Sequence, residues 1–169
     1  MHRLAPVIAI ALAACGSLEG AASTTAESHG NDALVCEPPP FRITILPWLE
    51  RGAPLPEPEL SMLDGNAILM WEGPPGTNHE GGRGYVALQR FAVADSPLGG
   101  EGHPVDIPVR GTVGEIRWVG DPGVGEVRLN WLEHKGSCGY HALHLLDTTL
   151  TEEESEQYLR EAAASLTGP

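Results

Sequence analysis

Glycine and proline interrupt this chain so often that long helices cannot dominate its fold. The 169 residues include 21 Gly and 15 Pro, about one position in five, and both residues destabilise the interior of a helix. Hydrophobic residues make up 41% of the chain, which is enough for one modest core in a domain of this length. We therefore expect a single domain built mainly from short strands.

The charge balance disfavours two classes of partner. The chain has 23 Asp and Glu against 10 Lys and Arg, a formal net charge of −13. Because proteins that bind nucleic acid neutralise its phosphates with Lys and Arg, we expect no nucleic-acid partner. Lys135 is the only lysine, so the chain also lacks a polybasic patch for an anionic membrane surface.

The N-terminus has the pattern of an export signal. Arg3 provides a short basic region, and residues 4–14 form an apolar stretch that ends in small residues. Eleven residues are too few to cross a bilayer, which takes about 20. The four residues Leu12-Ala13-Ala14-Cys15 resemble the lipobox of bacterial lipoproteins, in which small residues precede an invariant cysteine.

That resemblance implies that residues 1–14 are a lipoprotein signal peptide. Cys15 would then carry a thioether-linked diacylglyceryl lipid, with palmitate as a typical acyl chain, and would become the new N-terminus. The membrane would be the partner, through this lipid anchor, on the extracytoplasmic side of the cell envelope. An ordinary secretory signal and a cytosolic location are the alternatives.

The cysteine count agrees with a lipidated Cys15. The chain has three cysteines, an odd number that is awkward in an oxidising compartment. If Cys15 carries lipid, Cys36 and Cys138 remain, and export favours a disulfide between them. Two unpaired buried thiols are the alternative. A metal site at these cysteines is disfavoured because they lack C-x-x-C spacing.

The composition changes after the signal and divides the mature chain into two parts. Residues 15–34 are rich in Gly, Ala, Ser, Thr and acidic residues, without hydrophobic periodicity, and we expect a flexible tether there. We expect residues 35–169 to form a single β-rich globular domain. Four prolines between residues 47 and 62 argue against regular structure in that segment. Strands are predicted at residues 41–46, 67–71, 85–93, 105–109, 115–119, 126–132 and 140–146.

The last strands and the C-terminus carry the clearest patterns. Residues 126–132 alternate apolar and polar side chains, as half-buried antiparallel strands do. Residues 151–154, Thr-Glu-Glu-Glu, match a helix capping box. Apolar residues at helical spacing follow, up to Leu166. The predicted fold class is α+β, a mainly antiparallel sheet covered by one C-terminal amphipathic helix.

Three short motifs give the C-terminal quarter a second resemblance. Trp131-Leu132-Glu133, Leu150-Thr151-Glu152-Glu153 and Ala163-Ala164-Ser165-Leu166 occur in an order similar to the end of an uncharacterised bacterial domain. That domain is found in exported lipoproteins and in proteins encoded beside extracytoplasmic sigma factors. The resemblance implies a small antiparallel sheet closed by a helix, and it implies no activity.

Residue types with catalytic or metal-binding chemistry are present without a recognisable motif. The sequence contains no G-x-S-x-G or H-E-x-x-H, and we expect no catalytic residue, cofactor or metal site. His141 and His144 are three positions apart, which on a strand places them on opposite faces. Trp48 follows a proline and precedes a Pro-rich loop. It is a candidate partner contact, with packing onto the sheet as the alternative.

These observations favour a non-enzymatic binding or sensing domain, tethered to a membrane, with an unknown ligand. One alternative is a regulatory accessory of an envelope-stress or sigma-factor pathway. The other is a hydrolase that uses His134, His141, Glu133 and Asp147, or a metal-binding protein that uses the His134, His141 and His144 region.

Overall fold

In the part of the chain that the structure describes, seven antiparallel strands form one sheet, and one α-helix follows them near the C-terminus. The computed structural model describes residues 36–63, 66–91, 106–120 and 125–168. The predicted signal peptide 1–14, the lipidation site Cys15 and the tether 15–34 lie outside the described residues. The elements are β1 (Glu59–Leu63), β2 (Asn66–Pro75), β3 (Arg83–Phe91), β4 (Asp106–Val109), β5 (Thr112–Val119), β6 (Glu126–Leu132), β7 (Tyr140–Leu146) and α1 (Glu152–Ser165).

The strand order is β1-β2-β3-β7-β6-β5-β4. The last strand in the chain is therefore the central one, paired with β3 on one side and β6 on the other. Strands β1 and β4 are the edges of the sheet. Pro108 lies in β4. An edge strand tolerates proline because it has a neighbouring strand on one side only, so a missing N–H breaks no hydrogen bond on the other side.

The sequence pattern identified most of these strands. The predicted intervals 126–132 and 140–146 coincide with β6 and β7. Two expectations were wrong. The β-branched run at residues 41–46 pairs only through an isolated bridge between Arg42 and Thr167. Conversely, β1 starts at Glu59, inside the segment expected to be irregular, because Pro58 is the last of its prolines and the chain after it is free to pair.

One face of the sheet, called the core face here, carries most of the apolar side chains. Cross-strand register places these residues on the same side of neighbouring strands, with Leu88, Leu143 and Leu129 opposite one another. The buried cluster that includes them comprises Phe41, Ile43, Leu46, Leu69, Trp71, Val86, Leu88, Ile107, Val109, Ile116, Trp118, Val127, Leu129, Trp131, Leu143, Leu145, Tyr158, Leu159, Ala162 and Ala163.

Helix α1 begins with the predicted capping box. The Thr151 side chain accepts a hydrogen bond from the backbone N–H of Glu154, whose carboxylate accepts one from the Thr151 N–H at 2.8 Å. Four residues of its apolar stripe belong to the same buried cluster as the strand residues. In the described part of the chain, no helix has the length and apolarity needed to span a bilayer.

Cys36 and Cys138 connect the start of the described chain to the loop between β6 and β7. Their sulfur atoms lie 2.03 Å apart, the separation of a disulfide bond. The carbonyl of Cys138 also accepts a hydrogen bond from the Arg90 guanidinium at 2.6 Å. The segment that enters the domain is therefore held near the end of β3 and the start of β7.

Candidate functional site

A cavity of about 530 Å³ lies between helix α1 and the irregular segment 44–55. This volume falls within the usual range of small-molecule sites. One wall is the segment, the other is the part of the helix from Glu153 to Glu161, and Leu150 lies before the helix start.

The proline content of the segment explains why it forms a wall instead of a strand. Pro47 and Pro54 have no N–H to donate, and the chain between them makes short turns. The N–H of Leu49 donates to the Leu46 carbonyl, and the N–H of Ala53 donates to the Glu50 carbonyl. The segment thus lines the cavity as a series of turns and does not pair with a strand of the sheet.

Two hydrogen bonds hold the start of this wall against the helix. The Tyr158 hydroxyl donates to the Ile45 carbonyl at 3.2 Å, and the Thr44 N–H donates to the Ser165 hydroxyl at 3.3 Å. Tyr158 is buried, and burial raises the pKa of its hydroxyl. The phenol therefore stays protonated and remains a donor at neutral pH.

The interior of the cavity is mainly apolar. Leu46 and Tyr158 are buried, and the other apolar lining residues are partly buried. The apolar lining comprises Ile45, Leu46, Pro47, Leu49, Ala53, Leu55, Leu150 and Tyr158. Such a surface favours the apolar part of a ligand because burial removes apolar area from water.

The mouth of the cavity is acidic. Its charged lining residues are Glu50, Arg51, Glu153, Glu154 and Glu161. Arg51 pairs with Glu161 across the two walls at 2.8 Å. The carboxyl of Glu154 accepts hydrogen bonds from the Thr151 backbone and side chain, which lower its pKa. The mouth therefore combines one cation with four carboxylates.

A polar cluster lies elsewhere, on the face of the sheet opposite the core face. The Glu126 carboxylate contacts the Tyr85 hydroxyl, the Arg128 guanidinium and Nδ1 of His144, the last at 3.0 Å. Burial would raise the pKa of Glu126, but these hydrogen bonds and the nearby charge of His144 outweigh it and hold the pKa at about 2. Glu126 is thus an ionised structural anion at neutral pH and lacks the proton that a general acid would donate.

His141 occupies a third environment, within the core. Its ring stacks on Trp131 at 5.3 Å and meets Phe41 at 5.1 Å. The Glu133 carboxylate is 3.4 Å from Nε2 and also contacts Arg110. Burial is the main cause that lowers the pKa of His141 to about 4, so the imidazole is neutral at physiological pH.

The structure separates most of the residues of the hydrolase and metal alternatives. His141 faces the core and His144 the opposite face, as expected for positions three apart on one strand. Asp147 follows the far end of β7, where its carboxylate accepts hydrogen bonds from Thr149. Of the four hydrolase candidates, Glu133 and His141 are in contact. Among the described residues, no group of three or more potential metal ligands converges.

Trp48, the candidate partner contact, is partly buried and packs against the core cluster. This placement favours the alternative in which its indole fastens the Pro-rich segment to the sheet. The cavity itself was not anticipated from the sequence. The sequence features that correspond to the cavity are an apolar run followed by closely spaced prolines and, elsewhere in the chain, a Glu-rich helix start.

Comparison with protein-family models, with curated proteins and with solved structures found no match to this chain.

Proposed function

We propose that this chain is a membrane-tethered extracytoplasmic lipoprotein whose domain binds a small, largely apolar ligand without chemical conversion. The observation that carries the binding role is the cavity of about 530 Å³ between segment 44–55 and α1. A cavity with an apolar interior and few polar groups is the usual form of a ligand site.

The helix contributes one wall of this site because of how it packs against the sheet. We propose that α1 covers part of the core face, with its nearest strand partners in β4 and β7. Burial of Leu159 and Ala162 in the common apolar cluster supports this arrangement. A helix fixed in this way holds Tyr158 at the cavity floor.

The anchor is supported by the lipobox-like Leu12-Ala13-Ala14-Cys15. In this proposal residues 1–14 are removed, Cys15 carries the lipid, and residues 15–34 separate the domain from the membrane. Intact-mass measurement on the membrane fraction tests it. A mature chain that starts at Cys15 with added diacylglyceryl mass is expected, and an unmodified chain in the soluble fraction would reject it.

Ligand binding is tested with the uncharged fluorescent probe N-phenyl-1-naphthylamine. The full chain carrying Cys15→Ser, which cannot be lipidated, allows the titration to be done without detergent. We expect saturable fluorescence enhancement. Ala53→Trp places a large side chain in the cavity lining and should weaken binding at least about tenfold, since an indole takes the volume that the probe needs.

The matched control is Ala164→Trp, which adds the same side chain at an exposed helix position. It should leave probe affinity unchanged. Equal loss of affinity in both variants, or no saturable binding by the parent chain, would reject the cavity as a ligand site.

A further inference from the structure

We infer that the cavity selects cationic amphiphiles, molecules that join an apolar tail to a positively charged head group. This inference rests on the proposed function, because it assigns a ligand class to the same cavity. It follows from how polarity changes between the interior of the cavity and its mouth.

The interior and the mouth differ in both exposure and charge. Of the lining residues, Leu46 and Tyr158 are buried, whereas Glu50, Glu153 and Glu154 are exposed. A ligand that follows this gradient places its tail inside and its head group among the carboxylates. The gradient therefore fixes the orientation of the ligand as well as its chemistry.

The charges at the mouth favour a cation. Four glutamates against one arginine leave a net charge of −3 when all are ionised. Arg51 is 84% exposed and already paired with Glu161, so it offers little to an anionic head group. The N-terminus of α1 adds only about half a positive charge, which does not reverse the sign.

Two of the four carboxylates lie on opposite walls and are available to a ligand. Glu50 belongs to segment 44–55 and Glu153 to the first turn of α1. Among the described residues, neither side chain takes part in a hydrogen bond or an ion pair. A cationic head group at the mouth would therefore meet unpaired carboxylates from both sides.

Three ligands with chains of ten carbons, the carboxyl carbon of decanoate included, test the inference. Decyltrimethylammonium, decanol and decanoate are cationic, neutral and anionic, and each is titrated against bound N-phenyl-1-naphthylamine in the Cys15→Ser chain at low salt. We expect the cation to displace the probe at a concentration at least about tenfold lower than decanoate does. The difference should shrink at high salt, because the carboxylates are exposed.

Charge variants separate the role of the mouth from that of tail burial. In the double variant Glu50→Gln/Glu153→Gln, affinity for the cation should fall about tenfold, about three- to fourfold for each carboxylate, while affinity for decanol is kept. The control variant Glu57→Gln/Glu59→Gln removes two exposed glutamates outside the lining and should keep the preference for the cation.

The two proposals fail in different ways. If decanol displaces the probe but the cation has no advantage over decanoate, the cationic specificity is rejected and the apolar site stands. A preference for decanoate would reject it as well. If the probe does not bind at all, the proposed binding function is itself rejected, and the inference falls with it.

Discussion

The buried imidazole of His141 predicts a specific acid sensitivity. Its side chain is 1% exposed, and its ring contacts the rings of Phe41 and Trp131, which also contact each other. In the described structure neither ring nitrogen has a hydrogen-bond partner. Protonation would place a charge in the core, where the Glu133 carboxylate, 3.4 Å from Nε2, offsets only part of the cost of burial.

Burial is the largest cause of the lowered pKa of His141. The positive charges of Arg90 and Arg110 and nearby His134 lower it further, whereas the carboxylate of Glu133 raises it. The result is a folded-state pKa of about 4 against an ordinary value of 6.5. The neutral imidazole is thus the form that the folded chain accommodates.

The sign and size of the effect follow from these two values. Between pH 6.5 and 4 the unfolded chain binds a proton at this histidine and the folded chain does not. The contribution to stability is therefore complete above pH 6.5 and is lost as the pH falls towards 4. The difference corresponds to at most about 3 kcal/mol, and we expect about 2 kcal/mol, since local relaxation offsets part of it.

Urea unfolding followed by tryptophan fluorescence measures this loss. The parent chain and His141→Phe are compared at several pH values from 7.0 to 4.5. Protonation of carboxylates near the lower end occurs in both chains and cancels in the comparison. The free energy of unfolding of the parent should decline across this range, while that of His141→Phe should decline much less. At pH 7 the variant should be nearly as stable as the parent, because phenylalanine keeps the ring and the imidazole forms no hydrogen bond there.

His134→Gln is the control, because His134 is exposed and should leave the pH dependence in place. Parallel pH profiles for the parent and His141→Phe would refute the assignment.

Glu126 contributes to stability at lower pH. Its folded pKa of about 2 lies below its ordinary value of 4.5, so its contribution is present above pH 4.5 and is lost as the pH falls towards 2. The two windows overlap only between pH 4.5 and 4.

Three further predictions concern stability, each measured as the urea-unfolding free energy. Gly84→Ala should cost about 3 kcal/mol or more, because an added Cβ would meet the Leu146 carbonyl oxygen at 1.9 Å. Gly82→Ala is the control and should cost much less, because the nearest atom to its added Cβ is at 3.2 Å. Equal losses in the two variants would contradict this account. Thr151→Ala removes the capping box and should cost about 1 kcal/mol, whereas Thr151→Ser should restore most of it; no recovery would point to another role for this residue. Replacing both Cys36 and Cys138 by Ser opens a loop with a sequence separation of 102 and should cost about 4–5 kcal/mol in the chain-entropy model, and reduction of the parent chain should reproduce the loss. An unchanged free energy after either treatment would show that the pair is not bonded.

The alternation of apolar and polar residues predicted β6, because each apolar side chain in that strand has a polar neighbour. Residues 126–132 place Val127, Leu129 and Trp131 on the core face, and a shift of one residue would expose all three. The strand predicted at residues 41–46 rested on a β-branched run, and that prediction was wrong. Phe41 and Ile43 are buried there, yet the backbone pairs only through the bridge at Arg42. An apolar pattern indicates that side chains are buried, but it does not show that the backbone has a neighbouring strand.

The cavity was beyond sequence reasoning for a related physical reason. Its two walls are about a hundred residues apart in the chain, and nothing local in residues 44–55 indicates which element they face. The prolines predicted an irregular segment correctly over most of its length. Where that segment comes to rest depends on long-range contacts such as Tyr158 with the Ile45 carbonyl.

The glutamates of α1 show how one sequence feature can serve two purposes. The Glu-rich first turn is explained locally by the capping box and by the positive end of the helix dipole. Burial of the apolar stripe sets the rotation of the helix about its axis, and at 3.6 residues per turn Glu153, Gln157 and Glu161 then form one row beside Tyr158. That row forms part of the cavity lining only because segment 44–55 lies opposite it. The capping box and the helix dipole therefore explain why the first turn is acidic. The fold explains why these carboxylates lie at the cavity.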